Sequence, residues 1–242
     1  MSIKIDLKIF LFLFLFLITS QFEIYIILFV FAILHELGHL VAGIILKFRP
    51  EEIRLTPLGL QISFKTQSKE EEENKVSRDD EINLKKKRAK EINIRKAIIA
   101  MAGPITNFAI AVIAILMASF NGNAQNMYIY QIIIYSNYII AVFNLIPIYP
   151  MDGGRILKEM LNIACGRKKA YKITYITSKT ILIILTAIVS IAILFVHNIA
   201  LLLILAYLWY LEINEIRIYN RRKNIEYLVE NLKLRDTSLS SK

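Results

Sequence analysis

Apolar residues fall in long unbroken runs separated by short polar segments, and the runs approach membrane length. They predict six spans: Ile9–Ile18 with Ile3 and Ile5 before it, then Phe22–Leu46, Ile92–Phe120, Met127–Ile146, Ile173–Val196 and Ile199–Ile216. The first begins on Lys4 and Lys8 like a signal peptide, but no small-residue cleavage site follows, so it reads as a retained span. Between spans two and three, Ile53, Leu55, Leu60, Ile62 and Phe64 alternate with polar residues around Pro57-Leu58-Gly59, the pattern of a short β-hairpin. The predicted fold is therefore an all-α polytopic membrane protein of six transmembrane helices, with a β-hairpin between helices two and three. Residues 1–218 would form this core, and 219–242 a short cytoplasmic tail.

Charge orients the chain. The segments after spans one, three and five carry no Lys or Arg, whereas the amino terminus and the segments after spans two, four and six hold nearly all of them. The positive-inside rule places both termini in the cytoplasm of a multi-pass cell-membrane protein. Residues 65–96 form a charged cytoplasmic loop, acidic at Glu70–Glu73 and basic at Lys85–Arg88, leading to a helical stem at the membrane surface. A formal charge of +10 raises nucleic acid as a partner, but cations flanking apolar runs serve the lipid bilayer and topology, so none is expected. The single cysteine, Cys165, excludes an internal disulfide and a thiolate metal cluster.

Span two contains His35-Glu36-Leu37-Gly38-His39, an HExxH motif. On a helix the two imidazoles meet one point and Glu36 lies beside them as a general base. Chance would supply about 0.002 such matches in a chain of this composition, and ionisable groups inside an apolar span mark functional sites. Zinc keeps a catalytic position open when three ligands hold it. His39 lies about 12 Å from the cytoplasmic end of its span and about 24 Å from the outer end, so the third ligand is sought on the cytoplasmic side. There Asn144-Leu-Ile-Pro147-Ile-Tyr-Pro150-Met-Asp152-Gly153-Gly154-Arg155 reads as a helix broken by two prolines and two glycines, with Asp152 at the break. Asp152 is the natural third ligand; a helix cap is its plainer role, and Glu23, Glu159 and His197 are its rivals. Asn107, in Ala102-Gly103-Pro104-Ile-Thr-Asn107, reads as a helix-packing amide.

HELGH, AGPITN and NLIPIYPMDGGR, in that order on separate spans, resemble the site-2 protease family of intramembrane zinc metalloproteases, and within it the stage IV sporulation protein FB type. The resemblance implies that His35, His39 and Asp152 bind Zn2+, that Glu36 activates water, and that Asn144 positions the substrate or stabilises the oxyanion; from residue chemistry alone Asn144 is equally a packing amide. It also implies a membrane-associated protein substrate, a sporulation sigma-factor precursor or a single-span anti-sigma factor. Membrane regulatory partners and a second copy of the chain are further partners it allows. No CBS or PDZ domain is expected within these 242 residues. A membrane metal or proton transporter and a scaffold without chemistry are the alternatives from other classes.

Overall fold

The computed structural model describes residues 2–7, 22–56, 59–65, 78–120, 124–196 and 204–217, with isolated positions 9, 10, 14, 17, 202, 220, 221, 224 and 225. In order, the elements are β1 (Ser2–Ile5), α1 (Phe22–Ile45), β2 (Arg49–Thr56), β3 (Gly59–Lys65), α2 (Arg78–Phe120), α3 (Ala124–Leu145), α4 (Asp152–Cys165) and α5 (Arg167–Val196). Residues 204–217 are also helical.

Among the described residues, four helices are long and apolar enough to cross a membrane: Phe22–Ile45, Asn83–Phe120, Asn126–Leu145 and Arg167–Ile193. They carry exposed Val41 and Ile44 on α1, Ile113 and Leu116 on α2, Tyr135 and Ile139 on α3, and Ile183 and Ile184 on α5. Large apolar side chains left outside on every span are what a lipid solvent accommodates. These helices bear out predicted spans two to five. Most of predicted span one, Ile9–Ile18, lies outside the described residues, and of predicted span six residues 202 and 204–216 are described and helical.

The sheet is larger than the predicted hairpin by one strand. The hairpin forms as β2 and β3, with Arg49 opposite Lys65 and Thr56 opposite Gly59, and a bulge between Pro50 and Glu52. A third strand, β1, pairs parallel to β2 from Ser2 opposite Glu52 to Ile5 opposite Leu55. Its four residues are too few for alternation to be recognised, and the pairing is across sequence; Lys4 Nζ meets Glu52 Oε2 at 3.0 Å. Lys4 and then Arg54 hold the Glu52 carboxyl below its ordinary range.

The chain clusters as two compact units, Met1–Ile181 and Leu182–Lys242. In the second, Trp209 Nε1 donates to Thr186 Oγ1 at 3.1 Å. In the first, α2 is the centre: 43 residues long, it packs against α1, α3 and α4, and its length of about 65 Å is twice a bilayer core. The predicted basic stem is thus the amino-terminal part of the helix whose remainder is span three. Fully buried Pro104, Asn107, Asn137 and Ile148 mark the interior of this unit.

Candidate metal centre

Two neighbouring helices and one helix start bring the site together. On α1, His35 and His39 are separated by one turn and point the same way, their rings edge to face with centroids 4.8 Å apart. Gly38 lets that face approach α2, since a Cβ there would collide with Thr106 Oγ1. Asp152 is the first residue of α4. Gly153 and Gly154 follow it inside the helix, and a Cβ on either would meet the Leu145 carbonyl or the Tyr149 amide. The glycines therefore do not break a helix, as the sequence suggested. They begin α4 and let the Leu145–Tyr149 backbone lie directly on its first turn, which fixes where Asp152 stands.

The donor atoms converge. Asp152 Oδ2 lies 2.8 Å from His35 Nε2 and 3.0 Å from His39 Nε2, and the two Nε2 atoms are 3.2 Å apart. His35, His39 and Asp152 are all buried, and among the described residues they form the group of three that could hold a metal ion. Two imidazole nitrogens and one carboxylate oxygen are a zinc donor set, and bonds of about 2.0–2.1 Å in a tetrahedron put neighbouring donors about 3.3 Å apart. A triangle with sides near 3 Å fits one face of that tetrahedron.

The far side of each ligand is also engaged. His35 Nδ1 donates to Asn107 Oδ1 at 2.9 Å, and His39 Nδ1 donates to the Ile99 carbonyl at 2.7 Å. Both bonds select the tautomer whose Nε2 lone pair is free for a metal. The Gly103 amide also stands 3.3 Å from His39 Nδ1, but the shorter carbonyl bond places the proton on that nitrogen. Arg155 Nη1 lies 3.5 Å from Asp152 Oδ1, so one carboxylate oxygen faces the histidines and the other a guanidinium. Gly103 closes the arrangement, because a Cβ there would collide with Nε2 of both histidines.

From sequence, Asn107 reads as packing and Gly103 as a small residue for close helix approach, and Ile99 and Arg155 have no role. The missed signal is spacing: Ile99, Gly103 and Asn107 fall four apart on α2 and so share one face, the one turned to the histidines. Glu36 lines a cavity of about 280 Å³ together with His39, residues of β3, α2 and α4, and Tyr149. Asn144 is not brought to the metal donors; its Nδ2 donates to the Ile140 carbonyl at 3.0 Å and it is not among the cavity-lining residues. Of the rival ligands, Glu23 lies in the first turn of α1 and Glu159 in the cavity wall, and neither joins the donor group. His197 lies outside the described residues.

Comparison with known proteins agrees with this geometry. The curated zinc metalloprotease MJ0392 of Methanocaldococcus jannaschii is 29% identical over 215 residues, 88% of this chain and 54% of that protein. Stage IV sporulation protein FB of Bacillus subtilis is 24% identical over 161 residues, 66% of this chain and 48% of that protein. The chain thus spans about half the length of these curated relatives. The solved structure of the site-2 protease from Methanocaldococcus jannaschii superposes with a TM-score of 0.59 at 27% identity, covering 88% of this chain and 89% of that one. Since the sequence profile of peptidase family M50 matches residues 23–127 and 121–188, the chain belongs to peptidase family M50 and carries the donor set of a zinc metalloprotease.

Proposed function

We propose that this chain is a zinc-dependent intramembrane endopeptidase that hydrolyses a peptide bond of a membrane-associated protein near the cytoplasmic face. The observation that carries the reading is the buried His35, His39 and Asp152 group beside a cavity lined by Glu36. In this reading His35 and His39 would hold the ion through Nε2 and Asp152 through Oδ2. Zinc in such a set supplies Lewis acidity toward a carbonyl oxygen and toward water. Glu36 accepts the proton of the attacking water and returns it to the leaving nitrogen as the C–N bond breaks. The resemblance gives Asn144 the oxyanion; its Nδ2 donates to the Ile140 carbonyl, so in this reading the side chain turns from that carbonyl toward the substrate, where such a donor is worth about 10²–10³ in rate.

The substrate class is carried by similarity to the sporulation protein. A sporulation sigma-factor precursor is the first substrate to try, and a single-span anti-sigma factor the second. Co-expression of each, tagged, with the parent chain and with Glu36→Gln tests the reading. Cleavage of the precursor that is lost in Glu36→Gln supports it in full. Cleavage of anti-sigma factors alone keeps the enzyme and discards the sporulation role. Cleavage that persists in Glu36→Gln removes Glu36 as the base.

A further inference from the structure

The cavity in front of Glu36 has two chemically different parts. Phe48, Ile62, Phe64 and Ile99 give it an apolar surface that suits a large aliphatic or aromatic side chain. Lys96, Arg155 and Glu159 bring charge to the same space. Arg155 is engaged with Asp152, and Glu159 accepts from Asn162 Nδ2 at 2.9 Å. Lys96 differs from both. It is half-buried, and among the described residues its ammonium has no hydrogen bond or ion pair. A cation kept beside apolar walls with no protein partner is an electrostatic complement waiting for an anion.

Its position sets where that anion must lie. Lys96 precedes Ile99 by three residues and Gly103 by seven, which is about 4.5 and 10 Å along α2. Those two residues touch the metal-donor imidazoles. An extended peptide advances about 3.3 Å per residue, so a carboxylate meeting Lys96 belongs to a residue within about three positions of a bond held at Glu36.

We infer that the cleft selects segments bearing one large apolar and one acidic side chain within about three residues of the scissile bond, with Lys96 binding the carboxylate. This rests on the protease reading above. The test uses the purified full chain with zinc and a series of quenched fluorescent peptides sharing one apolar segment. A single Asp is moved through the positions around the cut, with Asn and Lys peptides beside each. For the parent, Asp at one position is expected to raise kcat/KM about tenfold over Asn. Lys96→Met is expected to remove that difference, and Lys96→Glu to turn the preference to the Lys peptide. Peptide Kd values on the Glu36→Gln protein give the charge preference independently of turnover, and zinc content shows that each Lys96 variant is folded. Equal Asp and Asn peptides in both readouts, or a preference that survives in Lys96→Met, overturns the inference while leaving the protease intact. Lys96-dependent binding with no cleavage of any peptide by the parent supports the subsite and overturns the protease reading instead.

Discussion

Asn107 is buried completely and its Oδ1 accepts from His35 Nδ1, while its Nδ2 has no partner among the described residues. An amide retained at that cost has its use in orienting the imidazole. Asn107→Leu is expected to weaken zinc binding about 10- to 100-fold, measured by competition with a chromophoric chelator, and Asn107→Asp, which keeps an acceptor, to retain most of it. Unchanged affinity in Asn107→Leu would leave Asn107 as packing only. Gly103 is a sharper case. Its missing side chain is the space occupied by both Nε2 atoms, so Gly103→Ala should abolish zinc binding and cleavage while the circular dichroism of the helices is kept. At this scale the HExxH pair and Asp152 were legible because their chemistry is uncommon in an apolar chain. Asn107 and Gly103 were not, because a buried amide and a glycine in a helix are ordinary until their neighbours across α1 are known.

Among the elements, the alternating residues Ile53 to Phe64 announced the hairpin, and the apolar runs announced α1, α3 and α5. The third strand was not legible, since β1 owes its existence to a parallel partner some fifty residues away. Nor was α4: a short amphipathic helix of 14 residues is hidden in a segment whose prolines and glycines read as a break. Hairpin and helix are joined tightly where Phe64 of β3 covers Gly43 of α1, and a Cβ at Gly43 would collide with the Phe64 ring. Phe64 is also a wall of the cavity. Gly43→Ala should therefore displace the hairpin and raise KM more than it lowers kcat, because substrate contacts are lost and the zinc ligands are untouched. A fall in kcat at constant KM would mean that the hairpin serves the chemistry instead.

For the whole molecule, charge asymmetry predicts that the metal centre opens to the cytoplasm. Cys165, partly exposed near the end of α4, is the only cysteine in the chain and so reports the side on which α4 lies. A membrane-impermeant thiol reagent should label it in inside-out vesicles and leave it unlabelled in right-side-out ones; the reverse pattern would invert the topology and with it the proposed cytoplasmic product. The arrangement of apolar helices was readable because lipid demands uniform runs, whereas the meeting of α1, α2 and α4 at one point depends on long-range packing. That meeting is the centre of the account, and its most direct test is the zinc content of the purified chain by mass spectrometry. The parent should carry one zinc per chain, and His35→Ala, His39→Ala and Asp152→Ala should each lose it. A full complement of zinc in Asp152→Ala would contradict the three-ligand centre.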